Sequence, residues 1–131
     1  MKYLGVDFGL RRIGLATSDG ILATPYKVIT VKSLKDAIFK LAEVVREGEF
    51  DQVVIGMPEG KMGQTVLGLI NKLRKSGIDV LEVDETLSTK NAIQRMIELN
   101  IPKKKRRVND AYSASIILQN YLDKDLLHTS V

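Results

Sequence analysis

Tyr3-Leu4-Gly5-Val6-Asp7-Phe8-Gly9 reads as an apolar β-strand that carries one charge near its end and stops at a glycine turn. An unpaired carboxylate inside a packed sheet costs several kcal/mol, on the order of the penalty for a buried ion, so Asp7 needs a compensating partner. Backbone N–H groups of the Gly9 turn are one candidate, and a bound cation is another. Two more acids occupy comparable places: Glu85 follows a strand ending at Asp84, and Asp110 opens a helix. Three acids delivered by three separated segments are the layout of a divalent-metal site. Taken singly, Glu85 also reads as a surface acid in a βα loop and Asp110 as a helix N-cap, a task that Asn109 performs equally well.

Outward from this strand, the pattern alternates sheet and helix. Ile13 to Ser18 forms a second strand with Ile13, Leu15 and Thr17 on one face, Asp19-Gly20 turns the chain, and Tyr26 to Val31 forms a third after Pro25. Such closely spaced strands pair antiparallel. The period then changes to 3.6: Ser33 caps a helix with Asp36 three residues on, and Leu34, Ala37, Ile38, Leu41, Ala42 and Val45 hold one face until Gly48 ends it. Gln52 to Met57 is a strand buried on both faces. A Gly/Pro-containing loop leads to a helix with Val66, Leu69, Ile70 and Leu73 inward and Gly77 at its end, and Ile78 to Asp84 is the fifth strand. A further helix starts at Ser88 or Thr89 and stops at Pro102. The last runs from about Asn109 to Asp123, and its stripe of Ala114, Ile117, Leu118, Tyr121 and Leu122 begins at Asp110. The expected architecture is α/β: a five-stranded mixed sheet, three strands antiparallel and the rest parallel, with helices on both faces.

The 131 residues, 44% of them apolar, suffice for one core, so a single domain over 1–131 is expected. The absence of cysteine excludes a disulfide framework, a zinc–thiolate site and a thiol nucleophile, and leaves oxygen and nitrogen groups for any chemistry. The first strand is too short and too soon interrupted by Asp7 for a signal peptide or a membrane span, which predicts a soluble, cytoplasmic protein without membrane contact. Net charge is +4, yet Lys103-Lys104-Lys105-Arg106-Arg107 alone supplies five positive charges; without it 15 basic residues face 16 acidic ones (20 less 5). A localised basic run on a balanced surface suggests a polyanion partner, against the plainer reading of a solvated connector. With few, scattered aromatics, phosphates and shape are read more than bases.

Carboxylates without His or Cys suit Mg²⁺ or Mn²⁺, which take oxygen ligands. Two such ions about 3.5 to 4 Å apart bind the attacking and leaving oxygens of an in-line phosphoryl displacement. The glycine-rich stretch Gly56-Met57-Pro58 to Gly63 opens a helix whose N–H groups could face a phosphate, though a plain βα turn explains it as well.

Leu4-Gly5-Val6-Asp7-Phe8-Gly9, Arg12-Ile13-Gly14-Leu15-Ala16, Val54-Ile55-Gly56-Met57-Pro58, Asp84-Glu85-Thr86-Leu87-Ser88-Thr89, Asn109-Asp110-Ala111 and Ile117-Leu118-Gln119-Asn120-Tyr121-Leu122 together closely resemble the YqgF/RuvX family over nearly the whole chain. The resemblance implies a ribonuclease H-like fold, kinship with Holliday junction resolvases, and a nuclease that matures the small-subunit ribosomal RNA precursor in the bacterial cytoplasm. It maps the family's catalytic and metal-binding acids onto Asp7, Glu85 and Asp110. One departure stands out: the family usually has Arg after the Asp-Glu pair, and here Thr86 follows. A phosphate contact made by that Arg would fall to Arg11, Arg12 or Lys90, beside Lys103, Lys104, Lys105, Arg106 and Arg107.

Two other classes compete. Actin-like ATPases and sugar kinases also open with an Asp-x-Gly strand and turn, but they need a second lobe for which 131 residues leave no room. A non-catalytic nucleic-acid or ribosome-binding module gains nothing from three acids beside a phosphate. Pre-ribosomal RNA, branched DNA and a simpler strand all fit as substrate, ribosomal particles fit as partners, and both a monomer and a homodimer fit the pattern.

Overall fold

The computed structural model describes residues 1–58, 60–84 and 109–129. Their elements are β1 (Tyr3–Phe8), β2 (Arg12–Ser18), β3 (Thr24–Thr30), α1 (Leu34–Gly48), β4 (Gln52–Met57), α2 (Lys61–Lys75), β5 (Val80–Asp84) and α3 (Asn109–Thr129). The strands form one sheet in the order β3-β2-β1-β4-β5. β1 pairs antiparallel with β2 (Val6 opposite Leu15, Asp7 opposite Gly14) and parallel with β4 (Val6 beside Ile55), while β4 pairs parallel with β5. The expected mixed sheet is therefore present, with β1 at its centre.

Alternation along the strands divides the molecule into two layers. Leu4, Val6 and Phe8 of β1, Ile13 and Leu15 of β2, and Val53 and Ile55 of β4 bury one face against Ala37, Leu41 and Val44 of α1 and Val66, Leu69, Ile70 and Leu73 of α2. On the opposite face Tyr3, Ala16 and Val54 meet Ala114, Ile117, Leu118 and Leu122 of α3. Helices thus cover both faces, and the α3 stripe is the one its spacing predicts.

Several boundaries differ from expectation: α3 runs past the expected Asp123 to Thr129, and β2 begins at Arg12, one residue before Ile13. Three places, the cap of α1 among them, show a local reason. β3 begins at Thr24, two residues before the expected Tyr26, and takes in Pro25. The strand lies at the sheet edge, and the register jumps from Leu15 opposite Lys27 to Ala16 opposite Pro25, so a bulge accommodates the residue that cannot donate. At the end of α1 the left-handed position falls to Glu49 (φ 54°), not Gly48, and the Glu49 and Phe50 N–H groups bond to Arg46 O and Val45 O at 3.3 and 3.1 Å. The Phe50 ring lies over Gly48, where a Cβ would overlap it. The third is β5, which starts at Val80 because Gly77 (φ 87°) and Ile78 close α2, with the Ile78 N–H on Leu73 O at 3.1 Å.

The α3 face is built for close approach. A Cβ added to Gly5 would stand 2.8 Å from Leu118 Cβ and 2.9 Å from Ala114 O, and one added to Gly14 would overlap the carbonyl of Asp110. Helix backbone therefore rests almost directly on β1 and β2. Among the described residues no helix is long and apolar enough to cross a membrane.

Gly14→Ala is expected to destabilise the chain by at least the roughly 1–3 kcal/mol of a core overpacking, because the obstructing atoms are backbone and cannot rotate away. Gly68→Ala is the matched control: it lies inside α2 with open space around it, so the same added methyl should stabilise by about 0.5–1 kcal/mol. Urea unfolding midpoints check both, and equal effects would refute the close-approach account.

Candidate active site

The three parallel strands finish together. Met57 of β4 lies beside Asp84 of β5, and β1 reaches the same level one and two residues past the Val6–Ile55 pair, at Asp7 and Phe8. The carboxyl ends of parallel strands are where open α/β sheets bind ligands. Phe8 turns into the α1/α2 core, so its neighbour Asp7 points to the α3 side, where it is half-buried. Directly opposite Asp7 stands Gly14, and directly over Gly14 stands the Asp110 backbone. A pair of residues facing each other across antiparallel strands projects to one side of the sheet, roughly 5 Å apart. Asp7 and Asp110 thus flank a single residue that has no side chain.

Asp110 sits in the first turn of α3, and its Oδ2 lies 3.4 Å from Nε of Arg12, the first residue of β2. Arg12 belongs to the same sheet face because Ile13 and Leu15 occupy the other. Burial pushes the Asp110 carboxyl above the usual carboxylate range, and the Arg12 charge opposes that rise without cancelling it. The pair remains accessible, with side-chain exposures of 45% for Arg12 and 31% for Asp110. Asp110 is the one partner of the Arg12 side chain found among the described residues.

Gly56 completes the local surface. Its neighbours Ile55 and Met57 pack into the α1/α2 core, so Gly56 turns its bare Cα toward α3, one strand over from Asp7. Sequence reasoning treated it as part of a βα turn; the signal that could have found it is a glycine inside an otherwise apolar strand, level with the acid on the neighbouring strand. Beyond it, α2 starts after Gly60 without a side-chain cap, and the Gly63 N–H turns back onto Gly60 O at 3.1 Å.

Arg11 is exposed, and its backbone carbonyl accepts from the Val31 N–H at 2.9 Å. Glu85, Lys90 and Lys103 to Arg107 lie outside the described residues. The structure brings together Asp7, Asp110 and Arg12, and among the described residues no three acids or histidines gather into a metal cage. Asp7 and the Asp110 backbone thus lie on the same side of Gly14, and the Asp110 carboxylate has the Arg12 cation beside it. Carboxylate chemistry fits a Mg²⁺- or Mn²⁺-type ion better than a thiophilic one.

Comparison with known proteins follows the same lines. The model of the RuvX family, described as a Holliday junction resolvase, matches residues 1–124. A relative from Fusobacterium nucleatum subsp. nucleatum, named "Putative pre-16S rRNA nuclease", is 39% identical over 93% of this chain and 96% of its own length. One of the same name from Endomicrobium trichonymphae is 37% identical over 93% and 95%. Among solved structures, Thermus thermophilus RuvC in complex with a Holliday junction substrate superposes with a TM-score of 0.61 at 14% identity, covering 96% of each chain. The fowlpox virus Holliday junction resolvase gives 0.59 at 15% identity, covering 95% of this chain and 99% of that one. The chain therefore belongs to the RuvX family, with the ribonuclease H-like fold of the resolvases as its scaffold.

Proposed function

We propose that this chain is a divalent-metal-dependent nuclease that hydrolyses phosphodiester bonds in the 16S ribosomal RNA precursor in the cytoplasm, with Asp7, Glu85 and Asp110 as its metal-holding acids. The observation that supports the reading is the stack of Asp7, Gly14 and Asp110, with Asp7 opposite Gly14 near the strand ends and the Asp110 backbone over that glycine. Asp7 would hold the ion from the rigid centre of the sheet and Asp110 from the helix above it, with Glu85 joining from the chain that follows β5. When bound, the ion supplies activation of water and neutralisation of phosphate charge. The names of the curated relatives favour ribosomal RNA as substrate. A second reading, cleavage of four-way DNA junctions, is favoured by the description of the family model.

A panel of 16S precursor RNA, four-way DNA junction, duplex and single strand, each with Mg²⁺ or Mn²⁺, separates the readings. Precursor RNA should be cut preferentially, and Asp7→Asn and Asp110→Asn should each slow cutting by at least about a hundredfold, the scale for losing one charge-stabilising group. Preferential cutting of the junction would transfer the assignment to the second reading. Binding without cutting of any substrate would leave only a nucleic-acid-binding module.

Lys103 to Arg107 precede Asp110 closely in sequence and carry the chain's whole positive excess. Neutralising all five should flatten the salt dependence of duplex DNA binding by up to about 0.9 log units per lost phosphate contact. An unchanged slope would make the run a connector.

The raised Asp110 carboxyl has a consequence for stability. Because the native chain holds this proton more tightly than the unfolded chain, stability falls as pH rises from the ordinary carboxylate range through the native value, and the loss is complete above it. Asp110→Asn has no such proton to lose, so its stability relative to the parent should climb across that window and then level off. Urea midpoints taken across the acid range without divalent ions test this; a variant that loses stability relative to the parent as pH rises would contradict it.

A further inference from the structure

The Arg12–Asp110 contact assigns Arg12 a task beyond charge balance. Nε of Arg12 lies 3.4 Å from Oδ2 of Asp110. Among the described residues no second partner of the Arg12 side chain is found, and the side chain is 45% exposed. With Nε turned toward Asp110, the outer edge of the guanidinium presents the planar, paired donors that match two oxygens of a phosphate. The anchor point is the first residue of β2, on the same sheet face as Asp7 and next to the exposed Arg11. A metal ligand needs one carboxylate oxygen, so Asp110 has Oδ1 left for an ion while Oδ2 orients the arginine.

Building on the proposed nuclease site, we propose that Arg12 is the phosphate clamp of this chain: Asp110 holds Nε, and Nη1 and Nη2 grip the backbone phosphate next to the one being cut. Its chemical target is a single non-bridging phosphate pair, common to RNA and DNA, and not a base edge.

The test needs no cleavage. Binding of a short DNA duplex is measured in chelator, with the parent, Arg12→Gln and Arg12→Lys, while one phosphate at a time is replaced by a neutral methylphosphonate. For the parent, one position should weaken binding severalfold; for Arg12→Gln the same replacement should cost nothing further, because the contact is already gone. The Arg12→Gln salt slope should fall by about 0.9, one phosphate contact. Arg12→Lys, which keeps the charge but loses the fork, should restore most of the slope and only part of the position-specific effect. If no position depends on residue 12, or if Arg12→Gln leaves the slope unchanged, Arg12 is only the counter-charge of Asp110 and the clamp is refuted. Melting curves of the variants exclude a folding defect. Failure of the nuclease reading shows separately: a chain that cuts nothing with metal but keeps the residue-12-dependent position retains the clamp and loses the enzyme.

Discussion

The structure depends on one approach of backbone to backbone, that of α3 onto β1 and β2 at Gly5 and Gly14. Most helices stand off a sheet by the thickness of two layers of side chains. Here the helix carbonyls of Ala114 and Asp110 sit where side chains would be, and small residues line both sides of the contact: Gly5, Gly14 and Ala16 below, Ala111 and Ala114 above, all buried. Dispersion and exclusion of water hold the pair, with Leu118 of α3 packed against Gly5. The cost is that this seam tolerates no added atom. The gain is positional, because a helix seated on the sheet itself has little freedom to slide, and the first turn of that helix carries Asp110.

The two faces of the sheet consequently have different work. Opposite α3, Leu4, Val6, Phe8, Ile13, Leu15 and Ile55 close against α1 and α2 as a layer of large side chains. Each such side chain contributes about 1.5–3 kcal/mol on burial, so this face supplies stability to spare. On the α3 face, tight glycine packing and two carboxylates contribute less, and Asp110 with its raised proton affinity works against folding at neutral pH. A site of clustered acids is tolerable on a sheet whose other side is so well filled.

Much of this was legible in the sequence, for identifiable reasons. The 3.6-residue stripes of α1, α2 and α3 and the apolar runs of β1 and β4 are periodic signals that tertiary contacts reinforce. The β3 start was missed because Pro25 argues against a strand unless the chain knows it lies at an edge beside a bulge, which is information about a neighbour. The start of β5 was missed because the cap of α2 commits residues past its last turn, and at the correctly read end of α1 the left-handed place went to Glu49, an ordinary residue, so that Phe50 could cover Gly48. At the site, Asp7 stood out as a charge in an apolar strand and Asp110 as the head of a helical stripe. That Gly14 lies between them follows from strand register, which no local pattern encodes.

Arg12 shows the same limit from the side of electrostatics. As sequence it is one of two adjacent arginines at a turn, and nothing distinguishes it from Arg11. In the fold, alternation along β2 decides between them: Ile13 and Leu15 must face the larger core, so Arg12 faces α3 and meets Asp110, while Arg11, in the turn just before the strand, is left to solvent. A one-residue slip of β2 would exchange the two arginines and also send Gly14 to the wrong face, leaving a side chain under the Asp110 carbonyl. The register that lets α3 sit down is therefore the register that pairs Asp110 with an arginine, and the packing of the sheet and the charge balance of the site are a single constraint.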